Sequence, residues 1–288
     1  MALTPGMADL DGLELGPGTA YVITQLGGFG LPGMRTNDTS RVVADGARVG
    51  PDFLTGRDVN GVVTLKDDPY PGGDDLAAAA DALVGVFAPR RTGLGVLRYW
   101  RRGDDAPRRI GVRPRRLDLA LDGYWWRNGL AIGVPFSLFA PDPRWYADGQ
   151  SSLSMVLPTA ASGRTYDRTY PMAYGGGTSG VETAANVGNV ETFPTWTITG
   201  PVVNPRLENV TTGETLEMAI TLAVGETLEV DMQERTVLLG GTASRYSTIV
   251  GAPDFWALAP GGNSVRFAAD AYDAAASATI VWRSAWLG

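Results

Sequence analysis

The stretch that decides the fold is GETLEMAITLAVGETLEVDMQERTVLLGG, residues 213–241. Apolar residues occupy alternate positions on both sides of Gly225: Leu216, Met218, Ile220 and Leu222 before it, and Leu228, Val230 and Met232 after it. Because successive side chains of a strand point to opposite faces, this alternation puts one face on a core and leaves the other in water. Gly225 can take the positive φ that a tight connection needs. The stretch predicts an antiparallel hairpin in an all-β domain.

Outside this hairpin, most of the chain also predicts strands. The patterns cover residues 19–26, 40–66 and 93–139, and Asp45-Gly46 is a typical hairpin signal. Residues 158–192 are rich in Gly, Ala, Ser and Thr, and they predict a long loop or irregular edge.

One helix is predicted, over residues 74–88. Asp74 or Asp75 can cap its N-terminus, and Pro89 ends it. Its apolar residues fall at helical spacing: Leu76, Ala79, Ala80, Leu83 and Phe87. Such a stripe is typical of a helix that packs on the flank of a sheet.

A change in charge and a cluster of turn residues predict two domains. Residues 1–149 carry 17 basic and 18 acidic side chains, whereas residues 150–288 carry 7 and 13. The turn-rich sequence at 140–149 lies at this change. We therefore expect an N-terminal domain over 1–147 and a C-terminal domain over 148–288.

The composition excludes several classes of chemistry. The sequence contains no His and no Cys, so imidazole catalysis, thiol nucleophiles, disulfides and Cys-based zinc sites are ruled out. A glycosidase that uses an Asp/Glu pair is left open. No apolar run reaches the roughly 18 residues of a membrane helix, and the N-terminus is not typical of a secretory signal, so we expect no membrane insertion.

Two motifs partly match known ligand sites. Gly28, Gly30 and Gly33 match the dinucleotide pattern G-x-G-x-x-G, but no helix pattern follows to receive a pyrophosphate, which favours a loop. The pairs Asp9/Asp11 and Asp67/Asp68 are not part of a complete calcium loop. The sequence predicts no catalytic residue, no cofactor and no metal site.

Ten arginines lie between residues 90 and 116, opposed within that window only by Asp104 and Asp105. One interpretation is a nucleic-acid surface, in which arginine neutralises phosphate and Tyr99 and Trp100 stack on bases. The other is a solvated hairpin face, or a face that meets an acidic surface on a neighbouring subunit. No nucleic-acid-binding motif accompanies the arginines, which favours the second interpretation.

Several aromatic residues recur along the chain: Trp125, Trp126, Trp145, Tyr146, Phe255, Trp256, Trp282 and Trp286. In β-sandwiches such residues are usually core or interface, and this is the prediction. A sugar site lined by some of them is the alternative.

The C-terminal half resembles the siphophage distal tail (Dit) family of minor tail proteins, in the form found in actinobacteriophages. The blocks that carry the resemblance are FPTWTITGPVVNPRLENVTTGETL, LAVGETLEVDMQERTVLLGG, FWALAPGGNSVRFAA and ATIVWRSAWLG, in this order. The N-terminal half is similar to the tail-component domain of the same family through VVADGARVGPDFLTGRDVNGVVTL and LFAPDPRWY.

The resemblance implies a fold and a role that go further than the residues. The fold would be mainly β, with a tail-tube-like N-terminal barrel flanked by one helix and a galectin-like or jelly-roll C-terminal sandwich. The protein would be a structural, non-enzymatic component: a homo-hexameric ring that joins the tail tube to the baseplate or tip hub. Its partners would be the tube, the hub and receptor-binding proteins.

DNA would pass through the ring without sequence-specific binding. The protein would reside in the tail tip of the virion after assembly in the host cytoplasm. The alternative function is a carbohydrate-binding or adhesin module of the tail tip that contacts the host cell wall.

Overall fold

The computed structural model describes residues 3–66, 75–120, 123–158 and 180–288. The chain divides into two compact units, residues 1–148 together with 286–288, and residues 149–285. Strands dominate the described residues of both units, which confirms the predicted mainly β class. Within the same residues, no helix has the length and apolar character to span a bilayer.

The first unit contains two helices, α1 (Leu76–Val86) and α2 (Gly123–Arg127). Its strands are β1 (Ala8–Leu10), β2 (Leu13–Leu15), β3 (Tyr21–Leu26), β4 (Met34–Arg35), β5 (Thr39–Ser40), β6 (Ala47–Arg48), β7 (Phe53–Leu54), β8 (Arg57–Lys66), β9 (Gly95–Tyr99), β10 (Arg108–Leu117), β11 (Leu130–Ala140) and β12 (Trp145–Ala147). The last strand of the chain, β25 (Ala285–Trp286), pairs with β12.

The main sheet of the first unit has the order β2-β1-β9-β10-β11-β8-β3, with antiparallel neighbours. Strand β10 pairs with β9 through Arg108–Val112 and with β11 through Arg113–Leu117. A register shift between Pro114 and Arg116 interrupts the ladder between β10 and β11, as a β-bulge does.

The predicted barrel is not confirmed, because this sheet is open in the described residues. Its end strands β2 and β3 are consecutive in sequence but do not pair. Two backbone hydrogen bonds lie in the turn between them, from Gly16 N to Tyr21 O at 2.6 Å and from Thr19 N to Gly16 O at 3.3 Å. Pro17 within the turn has no N–H to extend the ladder.

The predicted helix is confirmed as α1. Asp75 caps it and accepts a hydrogen bond from Ala77 N at 3.1 Å, while Asp74 lies outside the described residues. The buried residues of α1 are those of the predicted stripe: Leu76, Ala79, Ala80 and Leu83. The Tyr21 hydroxyl donates to Ala79 O at 2.9 Å and ties the helix to β3.

The second unit begins with β13 (Ser151–Val156) and β14 (Val181–Asn186), and a 3₁₀ turn covers Tyr246–Thr248. Its other strands are β15 (Thr195–Thr199), β16 (Val202–Val203), β17 (Arg206–Asn209), β18 (Glu214–Glu217), β19 (Thr221–Leu222), β20 (Thr227–Asp231), β21 (Thr236–Leu239), β22 (Ala243–Ser244), β23 (Gly261–Ala268) and β24 (Ser277–Trp282).

Two antiparallel sheets of the second unit enclose one core. Their orders are β13-β24-β15-β20-β21-β22 and β14-β23-β17-β18, and β16 pairs with β19. Trp196 and Ile198 of the first sheet belong to the same buried apolar cluster as Leu207 and Phe267 of the second. The unit is therefore a β-sandwich, in which alternate side chains of both sheets point inward.

The stretch 213–241 has the predicted faces but not the predicted partners. Leu216, Met218 and Leu222 are buried before Gly225, and Leu228, Val230 and Met232 are buried after it. The predicted turn at Gly225 is wrong, because β18 pairs with β17 and β19 with β16; the hairpin of this stretch is formed after Gly225, by β20 and β21. Gly225, at φ +81°, instead connects strands of different sheets.

Three further predictions need correction. Strand β14 lies inside the predicted loop 158–192, of which 159–179 fall outside the described residues. Strand β12 lies inside the turn-rich 140–149, and α2 lies inside the predicted strands 93–139. Each of these elements is short, so its local pattern carries little signal.

Candidate assembly surface

The most exposed part of the first unit is a hairpin arm, which we define as residues 33–55. Strand β4 pairs with β7 near its base, and β5 pairs with β6 near its tip. Neither pair joins a larger sheet. Gly46, at φ +96°, closes the tip, as the Asp45-Gly46 signal predicts.

The base of the arm is closed by Gly33 and Thr55. Thr55 N donates to Gly33 O at 2.8 Å, and the Thr55 hydroxyl donates to the same carbonyl at 3.0 Å. A Cβ on Gly33 would lie 2.7 Å from Thr55 Oγ1. A side chain at this position would therefore open the base.

Arg57 fastens the segment before the arm to the segment after it. The side chain is buried and has only backbone carbonyls as hydrogen-bond acceptors among the described residues. These acceptors are Gly28 O at 2.5 Å, Gly30 O at 2.6 Å, Pro143 O at 2.8 Å and Leu287 O. Burial lowers the pKa of Arg57 from its ordinary value, although an arginine remains charged at neutral pH.

The loop that enters the arm is also fixed by aromatic packing. The Phe29 ring stacks on Trp145, with centroids 5.0 Å apart and an interplanar angle of 16°, and lies 5.1 Å from Tyr99. The Trp145 indole donates to Gly28 O at 3.1 Å. Gly28 has φ +97°, and a Cβ there would approach Val59 Cγ2 at 3.0 Å. The predicted loop over Gly28, Gly30 and Gly33 is thereby confirmed.

The arm itself exposes a large apolar area. Val42 and Val43 at its tip are 97% and 96% exposed, and Val49 is 85% exposed. Met34 and Phe53 at its base are more than half exposed. An isolated two-stranded hairpin is marginally stable in water, and exposed apolar patches mark interaction sites. The arm is therefore the strongest candidate for a contact with another protein surface.

The arginines of residues 90–116 find acidic partners within the same unit. The ion pairs are Arg90 with Asp11, Arg98 with Asp9 and Asp148, Arg101 and Arg108 with Asp104, and Arg116 with Asp118. Most of these carboxylates lie outside residues 90–116. Folding therefore brings negative charge to the arginines, and the net positive charge around them is lower than the sequence of residues 90–116 suggests. Arg91, Arg102 and Arg109 have no ion pair within the part of the chain that the structure describes.

Residues 187–286 match the family described as the siphovirus-type tail component, C-terminal domain. The chain carries the C-terminal domain of the siphovirus-type tail components. The predicted resemblance to the distal tail family is thereby confirmed. The matched segment covers most of the second unit, from the end of β14 to β25.

One solved structure shows the same fold over almost the whole chain. The chain is similar to the SPP1 Dit (gp 19.1) protein, described as a paradigm of the hub adsorption apparatus in phages that infect Gram-positive bacteria, with a TM-score of 0.64 and 13% identity. The similarity covers 97% of this chain and 98% of that chain.

A chain of the phage P2 baseplate in its activated conformation is similar with a TM-score of 0.48 and 11% identity, over 92% and 91% of the two chains. Among curated proteins, none is similar enough to count as a match.

The two aspartate pairs that were compared with a calcium loop differ in what the structure shows of them. Asp9 is buried and accepts hydrogen bonds from Arg98 Nε at 3.2 Å and from Gly12 N at 3.3 Å. Asp11 accepts from Val96 N at 2.9 Å and pairs with Arg90. Both carboxylates therefore serve to fix the sheet edge. Asp67 and Asp68 lie outside the described residues.

The aromatic residues mostly lie in the two cores, as predicted. Trp145 is buried in the first unit, and Phe255, Trp256 and Trp282 are buried in the second. Trp286 packs on the core of the first unit, and Arg108 lies 4.3 Å above its ring. Trp126 is half-buried, whereas Trp125 on α2 is 42% exposed.

Tyr146 of the same set is half-buried on β12. Its hydroxyl donates to Asp142 Oδ2 at 2.5 Å. Burial, followed by the Asp142 carboxylate, raises the pKa of Tyr146 above its ordinary value, so the phenol stays neutral.

Sequence reasoning missed the residues that hold the arm. Arg57 and Trp145 donate hydrogen bonds to backbone carbonyls of residues that are distant in sequence, and no local sequence pattern predicts such contacts. One feature of the sequence could have indicated Arg57. It is a charged residue at an alternate position of β8, in line with the apolar residues Val59, Val63 and Leu65. A charged residue on the buried face of a strand is expected to have a specific hydrogen-bonding or ion-pair partner.

Proposed function

We propose that this protein is a structural subunit of the hub of a phage tail, in which six copies form a ring between the tail tube and the baseplate. The hairpin arm is the observation that carries the proposal. It is fastened at its base by Arg57, and no described residue covers its apolar tip. A surface of this kind fits a contact that forms on assembly.

The ring is supported by the asymmetry of the arm. A projecting arm on one subunit and a receiving surface on the next make a head-to-tail contact, and such contacts close into rings when the rotation allows it. The open sheet supports the same arrangement, because each of its end strands, β2 and β3, pairs with a strand on one side only in the described residues, and a sheet edge can add a strand from a neighbour. We keep the tail-tube-like barrel as part of the proposal, completed between subunits.

The remaining parts of the proposal follow from the family. The ring surrounds the channel through which DNA passes without sequence-specific contacts. The second unit, proposed as a galectin-like or jelly-roll sandwich, faces the baseplate and receptor-binding proteins. In the larger sheet of this unit, β15 lies between β20 and β24, which are distant from it in sequence. Such pairing supports the jelly-roll type of sandwich. The protein resides at the tail tip after assembly in the host cytoplasm.

The proposed role requires no catalysis by this chain. A chain without His and Cys has few residues for acid–base or nucleophilic chemistry. The charged residues that surround the arm base bind carbonyls or each other, which suits a scaffold. The SPP1 protein of the same fold is described as a hub, and this supports the position in the tail.

The solution mass of the full chain tests the proposal. Light scattering, followed by negative-stain imaging of the same peak, is expected to show about six times 30.4 kDa and rings with a central hole. The matched variant lacks residues 34–54, so that Gly33 is followed by Thr55. It is expected to keep its fold and to be monomeric. A monomeric full chain that is also absent from the proteins of purified virions would contradict the proposal.

A further inference from the structure

The two larger sheets of the second unit have four end strands, and three of these are protected against pairing with another chain. Strand β22 is only two residues long, and β14 carries Glu182 at an exposed position. Strand β18 carries Glu214 and Glu217, and a neighbouring segment covers part of its outer side, where Val250 N donates to Glu217 O at 2.9 Å. Short length, charged side chains and covering segments keep edge strands from pairing with other chains.

The fourth end strand, β13, has none of these protections among the described residues. Its six residues, Ser151–Val156, include no charged residue and no proline, and they pair with β24 without a register shift. Ser152 and Ser154 are exposed, and Val156 is 55% exposed. Strand β13 pairs with a strand on one side only in the described part of the chain. Such an edge can add a strand from another protein.

The apolar layer of the sandwich is also incomplete at this edge. Leu153 on β13 packs against the buried core but is itself only partly buried. Ile280, which lies opposite Leu153 on β24, is fully buried. A strand added beside β13 would cover the outer side of Leu153, and the removal of this apolar area from water would favour binding.

The two faces of β13 define the chemistry of a strand that fits beside it. On the core side, Leu153 and Met155 favour apolar neighbours. On the other side, the hydroxyl oxygens of Ser154 and Thr279 lie 3.0 Å apart across the ladder to β24, which shows that a hydroxyl side chain fits opposite serine here. A charged neighbour would find no opposite charge on β13. The matching segment therefore alternates apolar and hydroxyl side chains and is uncharged.

We propose that β13 binds an extended, uncharged segment of a different protein, which adds to the six-stranded sheet as a further strand. A second copy of this chain is a poorer occupant. Self-pairing of β13 between two copies makes an isologous contact about a two-fold axis, and a ring of head-to-tail contacts has no such axis. In this one step the inference rests on the proposed function.

Peptide binding to the full chain tests the proposal. The probe is a capped, fluorescently labelled peptide with the sequence of β24, Ser277–Trp282, because this sequence already pairs with β13 in register. Fluorescence polarisation is expected to show saturable binding as the full chain is added up to about 0.5 mM, a range that detects weak complexes. The same peptide with Ile280→Pro is the control, and it is expected not to bind, because proline lacks the N–H that a ladder needs.

Two lysine variants at neighbouring positions locate the binding. Leu153→Lys puts a charge on the core side, where an added strand would bury it, and is expected to weaken binding at least about tenfold. Ser152→Lys puts the same charge on the exposed side and is the matched control, expected to change binding less than about twofold. Circular dichroism checks that both variants are folded. In the unchanged chain, saturating peptide is expected to slow hydrogen exchange in β13 and to leave β14 as it was.

Three results would overturn the proposal. The first is the absence of peptide binding to the unchanged chain. The second is binding that Leu153→Lys leaves unchanged, or peptide that slows exchange in β14 and not in β13, since either places the added strand elsewhere. The third is an oligomeric mass that falls with Leu153→Lys and not with Ser152→Lys, which would assign this edge to a second copy. The mass of the unchanged chain tests the ring separately, so the two failures are distinguishable.

Discussion

At the scale of single residues, buried polar side chains hold this protein together by bonding to backbone carbonyls. Arg57 joins four segments of the first unit in this way, and three buried asparagines, Asn186, Asn209 and Asn263, join the loops of the second. A buried donor that loses its acceptor, or a buried acceptor that loses its donor, costs more than the bond contributes. These residues are therefore more sensitive to conservative substitution than their surface counterparts.

Replacing Arg57 with lysine is expected to lower the free energy of unfolding by about 2–3 kcal/mol, because one ammonium group cannot reach four separated carbonyls. Urea unfolding at one fixed protein concentration measures the loss. Arg41→Lys, on the exposed arm, is the matched control and is expected to change the stability by less than about 0.5 kcal/mol. Equal stability of the two variants would show that the carbonyls are satisfied in another way.

Two buried tryptophans of the second unit separate the contribution of packing from that of hydrogen bonding. Trp196 and Trp256 pack edge to face with ring centroids 5.8 Å apart. Trp256 Nε1 donates to Leu207 O at 3.1 Å, whereas Trp196 Nε1 has no partner among the described residues.

Trp256→Phe is therefore expected to destabilise the protein by about 1 kcal/mol more than Trp196→Phe. The free energies of unfolding of the two variants measure this difference. A larger loss for Trp196→Phe would indicate that its indole N–H has an acceptor after all.

At the scale of elements, the sequence patterns identified the longer helix and the buried face of the stretch 213–241 well, and strand partners poorly. The stripe of α1 and the alternation in β20 are reproduced by the buried residues. The partner of each strand is not, because alternation states which side of a strand is apolar and nothing about its neighbour. For the arm, the sequence predicted the turn at Asp45-Gly46 but not that the hairpin stays separate from the main sheet.

Hydrogen exchange is expected to distinguish the free arm from the assembled one. In dilute monomer, amides of residues 34–54 should exchange rapidly, because neither strand pair of the hairpin joins a larger sheet. In the oligomer the same amides should exchange at least about tenfold more slowly. Residues of β8 serve as the internal control, since they are protected in both states. An arm that exchanges equally fast in both states would place the subunit contact elsewhere.

At the scale of the whole molecule, the end of the chain belongs to the first unit. Trp286 packs on its core, Leu287 O accepts from Arg57, and Gly288 O accepts from Arg108 at 2.8 Å. Removal of everything after residue 149 would therefore damage the first unit as well as delete the second.

In a further variant, a flexible linker replaces residues 149–285 and residues 286–288 are kept. This variant is expected to fold and to form an oligomer of six shorter chains. This result is expected because the proposed ring contacts lie in the first unit. Light scattering measures the mass, with circular dichroism as the check on folding. A folded variant that is wholly monomeric would assign the ring contacts to the second unit.

The sequence by itself determined the mainly β class, the position of α1, the buried face of the stretch 213–241 and the resemblance to siphophage tail proteins. These properties depend on residues two to four positions apart, or on short blocks, and both are readable along the chain. Only the tertiary structure decided that the sheet of the first unit stays open, that Gly225 joins two sheets, and that Arg57 fastens the arm. Each of these depends on groups brought together from distant parts of the chain, and the free energy of such contacts appears only once the backbone around them is folded.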